Sequence, residues 1–499
     1  MSLDKLKIRL ADIANINHAA SVLGWDQRTY MPPAGAGARA SQLGTLAKIG
    51  HDLFVSAETQ DLLAAAEAGA KGLAKDADDA RLLVNARRQM TKQTKVPTAL
   101  IVAITETTTL TEEKWVVTRK ENDFAGLAPW LGKVFDLKRE YAQAIGYKAR
   151  IYDALLDDFE LGMTADVLDP LFEQLKAATV PLVAEIAANQ NKVSDDILKR
   201  PVSEAQQEAF GVAVLKDCGY DFNRGRLDRS THPFCTNFSC NDVRITTRYD
   251  LEWMPGSLFG CLHEMGHALY EMGISEAYEG TPLAGGVSLG VHESQSRLWE
   301  NLVGRSKGFW RHYFPKLQKA FAPTFNDVTL EGFYKAINAA APSLIRVEAD
   351  EVTYNLHIIL RYEMEQEILE RKLSIADAPG RWNEKMQKYL GLTPPTDREG
   401  ILQDIHWPGG GIGYFPTYTL GNILATQLFE AAGRAMPGLE GDIAGANFAG
   451  LRKWLEENVH VHGSKYPPGE LIQRATGSPL RVEPYLAYLK GKYGEIYEL

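Results

Sequence analysis

The stretch at residues 257–273 reads Ser-Leu-Phe-Gly-Cys-Leu-His-Glu-Met-Gly-His-Ala-Leu-Tyr-Glu-Met-Gly. Apolar residues recur in it at the spacing of a helix that has buried faces. They are Phe259, Leu262, Leu269 and Met272. A glycine at the end of such a run is a common helix stop, so the stretch predicts a helix that ends near Gly273.

Inside this stretch, residues 263–267 read His-Glu-Met-Gly-His. Positions four apart on a helix share one face, so His263 and His267 can present two imidazole nitrogens to one ion. Glu264 lies beside them and can reach a water on that ion without binding the ion itself. This pattern is typical of a zinc site with a general base. The alternative interpretation is a helix with two hydrogen-bonded histidines and an exposed glutamate.

An open catalytic site needs a third ligand, and Gly273 and Tyr270 occupy the positions where another histidine would follow. The acids nearby are Glu271, Glu276, Glu279, Glu293 and Glu300. Glu271 lies on the same helix and points along it. Glu293 follows a glycine-containing loop at 281–290 and opens a new helix that can cross the first one. We therefore predict Glu293 as the third ligand, against the alternative of a capping or surface glutamate.

These residue types predict hydrolysis of a peptide bond. The metal polarises the scissile carbonyl and lowers the pKa of water, while Glu264 takes a proton and passes it to the leaving amine. The developing oxyanion needs a further donor. Three candidates flank the glycine-rich segment 407–414: His406, Tyr414 and Tyr418. Each tyrosine could instead be an aromatic core residue.

The rest of the chain predicts a mainly α fold. Helical patterns rich in Ala, Leu, Lys and Glu occur at 58–74, 130–146 and 165–192, and a long helix is predicted at 344–372. Segments 233–238 and 243–249 predict a small antiparallel hairpin beside the metal helix. An extended peptide could add to such an edge as another strand.

Composition narrows the classes of function. The chain has 499 residues and a net charge of −10, which argues against nucleic acid or an anionic membrane as the main partner. We find no apolar run of membrane-spanning length and no signal-peptide pattern at the N-terminus. The four cysteines are too few for a disulfide framework and predict reduced thiols in the cytoplasm.

Several separated blocks resemble one known family. They are 25–27, 31–33, 152–157, 232–234, 242–246, 263–267, 292–295, 345–350 and 400–407. Together they resemble the thermostable carboxypeptidase Taq family of metallocarboxypeptidases, a distant relative of neurolysin and angiotensin-converting enzyme. The resemblance spans about residues 20–425.

The resemblance implies a helical peptidase with a deep groove between two lobes and the metal at its floor. We expect one domain over residues 1–499, with parts at about 1–225 and 226–499 forming the lobes. Members release single residues from peptide C-termini with broad preference. They bind zinc, one ion per chain, with cobalt as a possible substitute, and are generally homodimers.

Residue by residue, the family ligands correspond to His263, His267 and Glu293, and its base corresponds to Glu264. The other blocks line the blind end of the groove. There, Arg346 and Arg244 could bind the terminal carboxylate of the substrate, because a guanidinium matches a carboxylate.

Simpler interpretations exist for these residues. For Arg346 the simpler one is a helical salt bridge with Asp350. His232 and His406 could contact the substrate or stabilise the oxyanion, while a structural hydrogen bond is the other interpretation for His232.

Two other functions compete with a carboxypeptidase. One is an oligoendopeptidase of the same clan, which would use the same metal site in an open-ended groove. The other is a catalytically inactive helical protein that binds peptides. A peptide with an amidated C-terminus separates the first competitor from a carboxypeptidase.

Overall fold

The computed structural model describes residues 2–499, and most of them are helical. The predicted mainly α fold with a small sheet is therefore confirmed. The chain separates into two compact units. The first unit comprises Met1–Thr94, Asp195–Ile337 and Gln427–Pro479, and the second comprises Lys95–Ser194, Asn338–Thr426 and Leu480–Leu499.

The helices in the described residues have the following bounds. They are α1 (Ser2–Thr29), α2 (Ala36–Val55), α3 (Ala57–Gly69), α4 (Asp78–Lys95), α5 (Thr98–Glu121), α6 (Phe124–Ile145), α7 (Ile151–Leu156), α8 (Ala165–Ala188), α9 (Glu204–Cys218), α10 (Met254–Gly273), α11 (Leu289–Arg297), α12 (Lys307–Ala320), α13 (Leu330–Ile337), α14 (Tyr354–Leu369), α15 (Ala378–Leu390), α16 (Pro416–Ala435), α17 (Leu439–Ala444), α18 (Ala449–Asn458), α19 (Pro468–Thr476) and α20 (Glu483–Tyr497). None of them within residues 2–499 combines the length and apolar composition that a membrane span requires.

Local side-chain hydrogen bonds set where several helices begin. The hydroxyl of Ser288 accepts the backbone N–H of Val291 at the start of α11, and Ser203 accepts that of Gln206 at the start of α9. Such caps satisfy backbone donors that have no partner inside the helix. The start of α11 matters most here, because it determines which face Glu293 presents.

The sheet lies in the first unit and has the strand order β1–β3–β2, with β1 at Leu227–Arg229, β2 at Cys235–Ser239 and β3 at Asp242–Thr247. Strand β3 pairs antiparallel with β2, as the hairpin pattern predicts, and parallel with β1. Val243 and Ile245 on the inner face of β3 are fully buried, and β3 packs against α10. The sheet therefore supports the helix that carries the metal motif.

The long helix predicted at 344–372 is shorter in the structure. Only a 3-10 turn forms at Arg346–Glu348, and α14 begins at Tyr354. Between them, the carboxylate of Asp350 accepts the backbone N–H groups of Val352 and Thr353. This side chain competes with a helix for the backbone donors and interrupts it. Arg346 and Asp350 are therefore not one helical turn apart, which removes the helical salt bridge considered above.

Helices α10 and α11 approach each other very closely at Gly266. A Cβ atom added there would lie 2.5 Å from the carbonyl oxygen of Gln295 and 2.6 Å from the Cα of Ser296. Both atoms belong to the backbone of α11, so no side chain can rotate away. A glycine is required at this crossing because only a residue without a Cβ lets two helix backbones come so near.

We predict that Gly266→Ala lowers the free energy of unfolding by about 1–3 kcal/mol, the usual cost of overpacking a close contact. Scanning calorimetry measures the change in melting temperature. Gly44→Ala on exposed α2 is the matched control, because a Cβ there meets nothing within 4 Å. The control should keep or slightly raise the melting temperature, since alanine favours a helix. Equal melting temperatures for both variants would contradict the close crossing.

Candidate metal centre

Helices α10 and α11 bring His263, His267 and Glu293 together in the first unit. One ligand atom from each lies within 4.8 Å of the other two. The Nε2 atoms of His263 and His267 lie 3.5 and 3.4 Å from the Oε2 atom of Glu293. Ligands ~2.0–2.2 Å from a tetrahedral ion are ~3.3–3.6 Å apart, so these two spacings suit a zinc-like cation.

Glu293 is oriented by its own helix. Its Oε1 atom accepts Nε of Arg297 at 2.7 Å, and its Oε2 atom accepts the hydroxyl of Ser296 at 2.9 Å. Burial raises the pKa of Glu293, but Arg297 and His263 outweigh it and hold that pKa well below its usual value. Glu293 is therefore an ionised carboxylate whose Oε2 atom faces both imidazoles.

The two histidines differ in their protonation. Burial lowers the pKa of His263, but the carboxylates of Glu293 and Glu300 outweigh it and raise that pKa to about 9. Burial lowers the pKa of His267 to about 4. His263 must therefore lose a proton when it binds a cation, which makes metal binding dependent on pH.

Glu264 lies on α10 beside these ligands and is 7% exposed. Burial raises the pKa of Glu264 to about 7, while the charge of His263 lowers it in part. A carboxylate that is poised near neutral pH is suited to take up a proton and give it back. Its role as a general base stays a prediction.

Two further residues contact the Nδ1 atoms of the imidazoles, on the side of each ring away from Glu293. The Nδ1 atom of His263 lies 2.9 Å from Glu300, and the Nδ1 atom of His267 contacts that of His292. The sequence analysis assigned no such role to Glu300 or His292. A signal was present for Glu300, which lies seven positions after Glu293 and so returns to the same helix face. None was present for His292, whose contact depends on how two helices cross.

The backbone around Glu300 departs from an α-helix. Residues Leu298–Val303 form a π-helical turn directly after α11. Such turns are rare and often occur at functional sites, since they change which way a side chain points. Arg297 and Arg305 lie 3.3 and 3.4 Å from the Glu300 carboxylate and hold it beside His263.

In the second unit, the candidate oxyanion donors form one cluster. The Nε2 atom of His406 lies 3.3 Å from the hydroxyl of Tyr418. The ring of Tyr414 lies 5.2 Å from that of His406 and 5.3 Å from that of Tyr418. Three residues separated by up to twelve positions therefore form one cluster of contacting side chains.

Arg346 lies next to this cluster, with its guanidinium 5.2 Å from the Tyr418 ring. Its Nε and Nη2 atoms donate to Asp404 at 3.1 and 2.8 Å, and its Nη1 atom donates to the hydroxyl of Tyr354 at 2.9 Å. Burial raises the pKa of Asp404, but Arg361 and Arg346 outweigh it and hold that pKa well below its usual value. Arg346 is thus held in place by a permanent negative charge.

Arg244 and His232 lie in the sheet region of the first unit. The guanidinium of Arg244 donates to both carboxylate oxygens of Asp242 and lies 4.4 Å from the ring centroid of Trp25. The exposed His232 has its Nδ1 atom 3.0 Å from the carbonyl oxygen of Pro233. Among the hydrogen bonds of the described residues, none joins either side chain to the three candidate ligands.

Proteins of a known peptidase family are similar in sequence to this chain over nearly its whole length. The family pattern of carboxypeptidase Taq (M32) metallopeptidases matches residues 5–493. Carboxypeptidase 1 of Bacillus subtilis is 40% identical over 490 residues, which cover 98% of this chain and 97% of that protein. Thermostable carboxypeptidase 1 of Thermus thermophilus is 41% identical over 496 residues, which cover 97% of each.

The fold is shared as well. The crystal structure of an M32 carboxypeptidase from Deinococcus radiodurans R1 superposes with a TM-score of 0.96 at 42% identity, and the match covers 100% of both chains. The structure of Pyrococcus furiosus carboxypeptidase superposes with a TM-score of 0.95 at 37% identity over 99% of both chains. The resemblance stated from the sequence blocks is confirmed, and the chain belongs to the carboxypeptidase Taq (M32) family of metallopeptidases.

Proposed function

We propose that this protein is a metallocarboxypeptidase that releases single residues from peptide C-termini with broad specificity. The observation that carries the proposal is the convergence of two imidazole nitrogens and one carboxylate oxygen within 4.8 Å, beside a buried glutamate. The relatives are named carboxypeptidases, which favours this activity over that of an oligoendopeptidase.

The proposed cofactor is one zinc ion per chain, held by His263, His267 and Glu293, with cobalt as a possible substitute. Two imidazole nitrogens and one carboxylate oxygen form a ligand set that is common in catalytic zinc sites. When bound, the ion would polarise the scissile carbonyl and lower the pKa of the attacking water.

The chain's own residues would move the protons and stabilise the developing charge. Glu264 takes a proton from the attacking water and delivers it to the leaving amine. The N–H and O–H groups of His406, Tyr414 and Tyr418 are the proposed donors to the oxyanion, and their grouping in one cluster supports a common role.

Arg346 and Arg244 are the proposed partners of the terminal carboxylate of the substrate. Two N–H groups of each already bind an aspartate, which fixes the guanidinium plane in advance. A preorganised plane loses less entropy when it binds a second carboxylate. His232 remains a proposed substrate contact, and its exposure supports that role.

Further properties are proposed from family resemblance and composition. They are a homodimer, a cytoplasmic location, peptide substrates with a free C-terminus, and no nucleic-acid or membrane partner. The net charge of −10 supports the last of these. The organisation as one peptidase domain with two lobes also stays a prediction.

The activity is tested with one peptide in two forms. Metal-loaded protein should shorten the peptide with a free C-terminus one residue at a time, and the amidated form should resist. Mass spectrometry of both digests measures the products. Equally fast cleavage of both forms would identify an oligoendopeptidase instead, and no cleavage of either form would favour the inactive, peptide-binding alternative.

The cofactor is tested by metal analysis. Elemental analysis should find one divalent ion per chain, and dialysis against a chelator should abolish the activity. Titration with zinc or cobalt should restore it with a break at one equivalent. Glu293→Gln should weaken binding, because it removes the charged ligand. Full activity after chelation, or unchanged binding by that variant, would exclude the proposed site.

The base is tested by Glu264→Gln. We expect kcat to fall by at least about 10²-fold, the usual scale of general base catalysis, with the metal content unchanged. Glu252→Gln, at an exposed position just before α10, is the matched control and should behave as wild type. If Glu264→Gln turns over substrate at the wild-type rate, Glu264 is not the base.

The pH profile provides a second test of the base. Glu264 works only when ionised, so kcat/KM should fall as the pH drops through its pKa. Burial raises that pKa from 4.5 to about 7, and a bound cation draws it back. The acidic limb of kcat/KM should therefore have its midpoint between 4.5 and 7. A midpoint above 7 would assign the limb to another group.

A further inference from the structure

The two candidate ligand histidines are supported in different ways on the ring nitrogen that points away from the metal site. The Nδ1 atom of His263 faces the carboxylate of Glu300 directly, at 2.9 Å. The Nδ1 atom of His267 faces a second imidazole, that of His292. The other nitrogen of His292, Nε2, lies 2.8 Å from the Oε1 atom of Glu271. A chain of hydrogen bonds therefore runs from His267 through His292 to Glu271.

Glu271 determines the direction of this chain. The Oε1 atom of Glu271 accepts the backbone N–H of Gly286, so it is an acceptor toward His292 as well, and the Nε2 atom of His292 carries the proton. The Nδ1 atom of a neutral His292 is then an acceptor, and it takes the Nδ1 proton of His267. A neutral imidazole has one proton, so the Nε2 atom of His267 keeps its lone pair. That atom is the one that faces Glu293 and the candidate cation site.

Glu271 is buried and held as an acceptor from several sides. Its Oε1 atom also accepts the backbone N–H of Gly286 at 3.1 Å, and its Oε2 atom accepts the side-chain amide of Asn237 at 2.8 Å. Glu271 is only 6% exposed. All three of its polar partners, Gly286, Asn237 and His292, approach this carboxylate through a nitrogen. Through these bonds Glu271 connects α10 with β2 and with the loop before α11.

Packing fixes the ring of His292 as well. A Cβ atom on Gly286 would lie 2.6 Å from the Cδ2 atom of His292, so the ring lies directly on the glycine backbone. The ring of Tyr270 lies 5.2 Å from that of His292. His292 also precedes Glu293 in α11, so the chain of hydrogen bonds joins the two helices that carry all three candidate ligands.

We propose that His292 and Glu271 are positioning residues that hold His267 in the tautomer whose Nε2 lone pair binds the cation. This inference rests on the proposed metal site and adds the residues that prepare one of its ligands. Outer-shell partners of metal-binding histidines orient the ring and raise its basicity. His263 receives this support from a carboxylate in direct contact, and His267 receives it through one intervening imidazole.

The test is the dissociation constant for zinc, measured by competition with a chromophoric chelator. His292→Phe keeps an aromatic ring but removes both nitrogens, so we expect affinity to fall by about 10–100-fold. His292→Asn places a carbonyl oxygen near the Nδ1 position and should restore part of the loss. Because His292→Phe removes a half-buried polar group, circular dichroism and the melting temperature establish that the variant is folded.

We call the chain of hydrogen bonds from His267 through His292 to Glu271 the relay. A double-mutant cycle with Glu271→Gln distinguishes an effect of this relay on zinc binding from an effect of packing. If Glu271 acts on the metal through His292, Glu271→Gln should lower zinc affinity in the wild type and have little further effect in His292→Phe. A role of Glu271 that ran only through Gly286 and Asn237 would persist in both backgrounds. Fully additive losses would therefore overturn the relay.

The matched control is His460, a buried histidine whose ring contacts the same tyrosine. The ring of His460 lies 5.2 Å from that of Tyr270, and its Nε2 atom lies 2.9 Å from the Oε1 atom of Gln295. His460→Phe should lower the melting temperature and leave zinc affinity unchanged. If it weakens zinc binding as much as His292→Phe does, the effect is general packing and the inference fails.

Failure of the inference and failure of the proposed function are distinguishable. Wild-type zinc affinity in the folded His292→Phe variant would overturn the relay and leave the metallocarboxypeptidase intact. If the wild-type protein binds no divalent ion, the proposed metal site is wrong, and the inference about the relay fails with it.

Discussion

The close crossing of α10 and α11 is the constraint on which the rest of the first unit depends. His263 and His267 lie on one helix and Glu293 on the other, so three ligands converge only if the two backbones nearly touch. Gly266 makes this contact possible, because the space that its Cβ would need is occupied by the backbone of α11. The glycine inside the metal motif is thus as much a part of the site as the histidines around it.

Bringing these helices together places several acids in a buried space, which would be unfavourable without compensation. These acids are Glu264, Glu293 and Glu300. Arg297 forms ion pairs with Glu293 and Glu300, and Arg305 forms one with Glu300. Arg297 contacts both Glu293 and Glu300, so one guanidinium keeps a candidate ligand and an outer partner ionised together. At Glu264, burial is the dominant effect and raises the pKa toward neutrality. Neighbouring acids therefore acquire different protonation states from different partners.

The second unit uses buried charge to arrange the candidate oxyanion donors. Asp404 lies between Arg346 and Arg361 and anchors the turn just before His406. The fully buried Glu365 accepts the indole N–H of Trp407 and the backbone N–H of Gly413, which closes the glycine-rich segment. Irregular backbone has no ladder of its own to satisfy its polar groups, so fixed side chains take that role.

Patterns of residue types along the sequence determined much of the secondary structure of this protein. Helical periodicity predicted the mainly α fold and the helix at 257–273, and strand patterns predicted the hairpin. A spacing of four placed His263 and His267 on one face. These features depend on contacts between residues near in sequence. The same reasoning overextended the helix at 344–372, because the side chain of Asp350 competes there for backbone N–H groups, and periodicity does not detect this competition.

Only the tertiary structure decided which distant groups meet. Sequence reasoning could choose Glu293 among several acids, but the crossing of α10 and α11 is what brings its carboxylate within 3.5 Å of both imidazoles. The tertiary structure also places Glu300 against the Nδ1 atom of His263 and His292 against the Nδ1 atom of His267. Such contacts depend on helix crossing angles and on a π-helical turn, which arise from the packing of whole elements, so no local spacing encodes them.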